Sequence, residues 1–100
     1  MIIDSHLHVW GDDPERYPWA DEGPSQPGSV ELLLATMERH GIQKACIVQS
    51  IHYLFDNRYV ADCLARYPGQ FSAIAVMDRT APDAVDRLER LVTEDGFEGL

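Results

Sequence analysis

The sequence predicts an α/β fold in which parallel strands alternate with helices. Four apolar segments are separated by three stretches with helical spacing of apolar residues, which gives the order β-α-β-α-β-α-β. Parallel strands need a crossover connection, and a helix is its usual form. Residues 45–48 and 73–76 are apolar on both faces, as expected for strands covered on both sides. An open sheet and a barrel both fit this pattern.

The predicted strands place three connecting segments at one edge of the sheet. The strands are Ile2 to Val9, Ala45 to Gln49, Phe71 to Met77 and an incipient strand from Phe97 to Leu100. The segments that follow their carboxyl ends, residues 10–28, 50–56 and 78–80, are expected on the face where ligands bind. Residues 10–28 hold four of the six prolines and both tryptophans. Loops longer than about 12–15 residues are often functional.

Capping residues and apolar spacing predict the first two helices. The first begins near Ser29, a good N-cap, and ends at Gly41. The second begins near Asp56-Asn57 and ends at Pro68-Gly69. Their buried faces are expected to consist of Val30, Leu33, Leu34 and Met37 in the first helix, and Tyr59, Val60, Cys63, Leu64 and Tyr67 in the second.

The third helix is predicted from a proline-containing start and a glycine end. Residues 80–83, Thr-Ala-Pro-Asp, resemble a capping box with proline in the first turn, and Gly96 closes the helix. Its buried face is expected to consist of Val85, Leu88, Leu91 and Val92.

The charge balance excludes several classes of partner. The net charge is −9, with 17 acidic residues against 8 basic ones, so nucleic acid and anionic membrane surfaces would be repelled. A small anionic substrate is still allowed, because one well-placed arginine can bind it. Cys46 and Cys63 fit reduced thiols better than a disulfide, and the start lacks a basic leader, so we expect a cytoplasmic protein.

The motif Asp4-Ser5-His6-Leu7-His8 carries the chemistry. Strand alternation predicts that Asp4, His6 and His8 share one face, with their imidazoles about 7 Å apart at the backbone and able to converge on one cation. Asp4 would then accept a hydrogen bond from the imidazoles and orient them without binding the metal itself. The alternative is one buried core histidine and one exposed histidine. The position at the end of the first strand of a β-α series favours the metal site.

Several stretches resemble the amidohydrolase superfamily, most closely its lactonase-like branch of fuconolactonases and dicarboxylate lactonases. Residues 4–10 and Arg16-Tyr17-Pro18-Trp19 resemble the family's opening. Further resemblance lies in residues 48–50, 56–59, 65–71, 75–78 and 96–100.

The resemblance implies that residues 1–100 are the N-terminal portion of a (β/α)8 TIM barrel of roughly 250 residues. It implies a divalent metal, commonly zinc or manganese, at His6 and His8, although some lactonases work without a tightly bound metal. The catalytic base is expected beyond Leu100, so the 100-residue chain alone is expected to be inactive. Identical copies that complete each other as a homo-oligomer are the alternative to a fragment.

Substrate contacts are expected on the same face as the metal. The candidates are Trp10, Gln49, Ser50, His52, Tyr53 and Asn57. For Trp10 the alternative is packing of the long loop, for Asn57 it is helix capping, and a metal-ligand role for His52 is less favoured than substrate contact.

The resemblance implies hydrolysis of a lactone of a small sugar acid or dicarboxylic acid by metal-activated water. Two alternatives stay open. One is a non-oxidative decarboxylase of the same superfamily, and the other is a non-catalytic fragment or assembly module.

Overall fold

The computed structural model describes residues 2–50 and 52–99, and for residues 2–5 only the backbone. Three parallel strands pair in the order β1-β2-β3, and a helix follows each of them. The strands are β1 Ile2–Leu7, β2 Ile42–Val48 and β3 Phe71–Ile74, and the helices are α1 Val30–His40, α2 Arg58–Arg66 and α3 Ala84–Thr93. The predicted alternation of parallel strands and helices is confirmed.

The predicted fourth strand is present as a parallel bridge beside β3. Gly99 pairs with Ile74, the N–H of Ala75 donates to the Gly99 carbonyl at 2.9 Å, and the Glu98 N–H donates to the Ala73 carbonyl at 2.9 Å. Leu100 lies outside the described residues. The chain therefore adds each new strand beside the previous one, as the start of a barrel does.

The strand bounds differ from the predicted ones. β1 ends at Leu7 instead of Val9. β2 begins at Ile42 instead of Ala45, because the polar residues that follow Ile42 do not fit the apolar pattern from which the strand was predicted. β3 ends at Ile74 instead of Met77. Just beyond this end, the N–H of Val76 donates to the side chain of Asn57 instead of to a neighbouring strand.

Helix α1 matches its prediction closely. The Ser29 hydroxyl accepts a hydrogen bond from the Leu32 N–H at 3.3 Å, as an N-cap does. Gly41 ends the helix with φ 68°, a left-handed conformation that costs glycine little. Val30 and Met37 are buried, and the predicted apolar face lies against the sheet.

Helix α2 is shorter than predicted but buries the expected face. It runs from Arg58 to Arg66, and the Asp56 carboxylate accepts from the Arg58 N–H at its start. Its buried residues are Tyr59, Val60 and Cys63. Cys46 and Cys63 are both free thiols, and burial raises the pKa of Cys63 to about 12.

Helix α3 corrects two predictions. It begins at Ala84, after the predicted capping box, because Thr80 instead forms a turn in which its N–H and hydroxyl donate to the Asp78 carboxylate. The predicted buried face is largely uncovered: Val85 is 79% exposed and Val92 is 45% exposed. Leu91 packs against the core. The amphipathic spacing predicts the helix correctly, but few of the described residues pack against its apolar face.

Candidate metal and substrate site

His6 and His8 come together at the carboxyl end of β1. Their ring centroids are 5.2 Å apart, with an angle of 89° between the ring planes, and both side chains are exposed. Two exposed imidazoles at this separation can turn toward a common ligand. The juxtaposition that the His-x-His spacing predicts is therefore present.

The second histidine is held by the neighbouring strand. Nδ1 of His8 lies 2.7 Å from the carbonyl oxygen of Val48, the last residue of β2. A carbonyl oxygen only accepts, so Nδ1 carries the proton and donates it. The neutral ring then has its lone pair on Nε2. Metal-binding histidines are commonly oriented in this way, through the nitrogen that does not bind the metal.

The donor set in the described chain is incomplete. Within residues 2–50 and 52–99, no group of three or more His, Cys, Asp or Glu side chains is arranged to hold a metal ion. The pairing of β1 with β2 is irregular between Asp4 and Leu7, which interrupts the alternation expected to carry Asp4 onto the histidine face. The side chain of Asp4 lies outside the described residues. His6 and His8 thus fit part of a divalent site.

Trp10 closes the long loop of residues 10–28, which we call the β1 loop. Its backbone N–H donates to the Gly28 carbonyl at 2.9 Å, and its indole N–H donates to the Gln26 carbonyl at 2.8 Å. A Cβ at Gly28 would lie 2.4 Å from the indole Cε2, so only glycine fits there. The loop-packing role expected as an alternative is present, and a role for Trp10 as a pocket wall stays a prediction.

His52 is fixed between the β1 loop and residues 50–56, which we call the β2 loop. Its Nδ1 lies 3.1 Å and 3.0 Å from the two carboxylate oxygens of Asp21. Its carbonyl accepts from the Ala20 N–H at 2.6 Å, and its N–H donates to the Ser50 hydroxyl. The indole of Trp10 meets its ring edge-on, with centroids 5.4 Å apart.

Tyr53 holds the β1 loop in place through its hydroxyl and its ring. The side chain is buried, and its hydroxyl accepts from the Gly11 N–H at 2.9 Å. Its ring stacks on Trp19 with centroids 4.9 Å apart. Burial raises the pKa of Tyr53, so the phenol stays neutral in the physiological range. This position supports the loop, and the predicted contact with substrate stays a prediction.

Gln49, Ser50 and Asn57 are buried and hold the β2 loop through its backbone. The Gln49 amide donates to the carbonyls of Leu54 and Asp56 at 3.1 Å and 2.7 Å. The Asn57 amide donates to the carbonyl of Val76, caps no helix with its side chain, and accepts from the Val76 N–H. Their predicted substrate contacts are not tested by these bonds, which occupy most of their donors.

Sequence reasoning missed two features of this edge. Asp21, the partner of His52, lies 31 residues away in a loop without periodicity, so no local signal marks it. Leu54 has φ 49°, a left-handed conformation that non-glycine residues rarely adopt, and it is exposed. The carbonyl of Leu54 is held by Gln49, which explains how this conformation is maintained.

A groove of about 670 Å³ lies elsewhere, between α2 and α3. Its lining contains neither His6 nor His8 and is mostly charged. At its edge the Tyr17 hydroxyl donates to the Asp62 carboxylate. Desolvation and that carboxylate raise the pKa of Tyr17 to about 12. The histidine edge, not this groove, carries the predicted chemistry.

Comparison with known proteins settles the family. The family model for amidohydrolases matches residues 3–100. The chain belongs to the amidohydrolase family. The resemblance of residues 4–10 and of the later motifs to this superfamily is thereby confirmed.

Three solved structures share the fold of this amidohydrolase chain. A probable 2-pyrone-4,6-dicarboxylic acid hydrolase from Acinetobacter baumannii, with citric acid bound, matches with a TM-score of 0.76 and 20% identity, over 96% of this chain and 35% of its own. A second such protein, from Pseudomonas putida, has a TM-score of 0.71 and 26% identity over 89% and 33%. An apo structure from Agrobacterium tumefaciens has a TM-score of 0.70 and 24% identity over 98% and 35%.

The chain spans about a third of the length of these structures. The predicted N-terminal part of a TIM barrel is confirmed by this match and by the parallel sheet. Among the described residues, no helix is long and apolar enough to cross a membrane.

Proposed function

We propose that the complete protein is a metal-dependent hydrolase that opens a lactone of a small sugar acid or dicarboxylic acid. Membership of the amidohydrolase family supports a hydrolase. The names of two similar structures, 2-pyrone-4,6-dicarboxylic acid hydrolases, support a cyclic ester, because a 2-pyrone is one. The observation that carries the proposal is the pair of adjacent, exposed imidazoles at His6 and His8.

His6 and His8 would hold a divalent cation such as zinc or manganese. When bound, such an ion lowers the pKa of a water molecule and polarises an ester carbonyl. The Val48 carbonyl keeps the proton of His8 on Nδ1, so Nε2 is ready to bind without a tautomer change. A catalytic zinc normally takes three protein ligands, and in this proposal the others, with the base, come from later strands.

The two loops at this edge would shape the substrate pocket. The β1 loop is closed by Trp10 on Gly28, and the β2 loop is closed by Gln49. Because these closures are made by hydrogen bonds to the backbone, the loops would present a preformed wall at the edge of the sheet that carries the histidines. A preformed wall selects substrates by shape without an ordering cost on binding.

The test is metal content and lactone hydrolysis by the full-length protein. His6→Ala and His8→Ala should each lose bound metal and lower kcat/KM by at least about 100-fold. This loss is larger than that expected for a residue that only orients a metal ligand. His40→Ala is the matched control, because His40 is exposed in the last turn of α1. It should keep wild-type metal content and turnover.

Product analysis separates hydrolysis from decarboxylation. The hydrolase proposal requires a ring-opened acid with no release of carbon dioxide: a hydroxy acid from a saturated lactone, and an enol or its keto tautomer from a 2-pyrone. Release of carbon dioxide would assign the decarboxylase alternative instead. Wild-type turnover and metal content in both histidine variants would refute the site.

A further inference from the structure

Two ring pairs follow each other along the end of β1. The first is His6 with His8, and the second is Trp10 with His52, whose centroids lie 5.4 Å apart. His8 is bonded to the carbonyl of Val48, and His52 follows Val48 by four residues in the β2 loop. The imidazole of His52 therefore lies at the same edge of the sheet as the candidate metal ligands.

The imidazole of His52 is more firmly oriented than a surface histidine. Asp21 brackets Nδ1 with both carboxylate oxygens, and the backbone of His52 is bonded on either side, to Ala20 and to Ser50. The Trp19 ring is a second aromatic neighbour of the imidazole, with the two ring centroids 6.4 Å apart. The side chain is 21% exposed, so the fixed ring still reaches solvent.

Asp21 is suited to hold this ring. The Gly23 N–H donates to its carboxylate at 2.7 Å, and this bond, followed by the bond to His52, lowers the pKa of Asp21. The carboxylate is therefore ionised throughout the neutral range and accepts the proton on Nδ1. Nε2 is the ring atom left for a ligand.

We propose that His52 contacts an oxygen substituent on the lactone ring, and that Asp21 positions His52 for this contact. The inference rests on the proposed function and deepens it, because it assigns a group that selects substituted over unsubstituted lactones. The substituent is a hydroxyl in a sugar-acid lactone and a carboxylate in a dicarboxylic one. The hydroxyl donates to the lone pair of Nε2, whereas the carboxylate only accepts and binds there when Nε2 also carries a proton.

The experiment compares three lactones in the full-length protein: γ-butyrolactone, a hydroxylated sugar-acid lactone and 2-pyrone-4,6-dicarboxylate. His52→Ala should lower the ratio of kcat/KM for at least one of the two substituted lactones to kcat/KM for γ-butyrolactone by about tenfold, the cost of one lost hydrogen bond. The class that responds identifies the substituent. Equal losses on all three lactones would mean a structural role and would overturn the proposal.

Variants of Asp21 test the positioning role. Asp21→Ala should shift the ratio of kcat/KM values in the same direction as His52→Ala, and Asp21→Asn should restore most of the loss, because an amide oxygen still accepts from Nδ1–H. The double variant should match His52→Ala alone. Glu22→Ala is the control, since it removes the neighbouring exposed carboxylate of the same loop. Additive effects of Asp21→Ala and His52→Ala would overturn the positioning role.

Calorimetric binding of the ring-opened products separates this inference from the proposed function. A wild-type protein that binds a substituted hydroxy acid without hydrolysing any lactone refutes the function, and the His52→Ala binding ratio then decides the inference. A protein that hydrolyses lactones equally well with and without His52 refutes the inference alone. Absence of both binding and hydrolysis refutes both.

Discussion

Two regions of the molecule, the tyrosine cluster next to α2 and the helix α3, bury their apolar residues to different extents. At the edge of β1 and β2, aromatic rings from distant segments interlock: Tyr59 lies 5.2 Å from Tyr17 and 5.7 Å from Tyr53, centroid to centroid. In α3, Val85 and Val92 have regular helical spacing and still face solvent. The difference teaches that spacing determines where a helix forms, whereas burial depends on what the rest of the chain brings to it.

The largest effect is expected where the rings interlock. Tyr59 is buried, and its hydroxyl accepts from the Val30 N–H at 3.0 Å, which joins α2 to the start of α1. Tyr59→Ala leaves a cavity and an unpaired N–H, and should lower the free energy of unfolding by about 3–5 kcal/mol. Urea denaturation of the full-length protein measures it. A cost below about 1 kcal/mol would show that this cluster is not a rigid core.

A pH titration sharpens the same contrast. Burial raises the pKa of Tyr17 to about 12, from an unfolded value of 10.0, so the unfolded chain loses this proton first. The stability that results is present below pH 10 and is lost as pH rises from 10 toward 12. Tyr17 alone should contribute about 1 kcal/mol to the fall in the free energy of unfolding between pH 8 and 10.5, and the buried Tyr53, Tyr59 and Cys63, whose pKa values are also raised, add to it.

Tyr17→Phe provides the comparison for this titration. It removes the titrating group together with its bond to Asp62, so it should be less stable at pH 8 but lose less stability on going to pH 10.5. Parallel pH profiles for the two proteins would contradict the assignment to Tyr17.

The smallest effect is expected on α3. Val85 is 79% exposed, so Val85→Ala should change the free energy of unfolding by less than about 0.5 kcal/mol. Thermal or urea unfolding of the full-length protein measures the change. A loss above about 1 kcal/mol would break the comparison, because it would show that chain beyond the described residues covers this face.

Much of the fold could be predicted because its signals are local. Ser29 and Gly41 mark the ends of α1 by cap chemistry, and the apolar runs of β2 and β3 predict parallel strands. The predicted start of α3 was wrong because Thr80 hydrogen-bonds to Asp78. This bond forms a turn that competes with the helix cap and that the same residue types allow.

The candidate site was predictable only in part. His6 lies in β1 and His8 follows directly after its end, so their proximity follows from the two-residue spacing of the sequence. The bond between His52 and Asp21 joins two loops, and loops have no period from which a contact can be inferred. The irregular pairing near Asp4 likewise depends on two strands together, which neither strand's sequence encodes alone.

The amide of Asn57 has a consequence for the shape of this edge. It donates to the Val76 carbonyl at 2.8 Å and accepts from the Val76 N–H at 3.1 Å, just beyond the bond from Gln49 to Ile74. The Asn57 side chain thus takes the place of the next peptide of β2 and makes the two hydrogen bonds that the main chain no longer makes. The N–H and the carbonyl of Val76 are therefore both paired, although the main chain of β2 no longer reaches them, and the backbone after Gln49 can leave the sheet for the β2 loop.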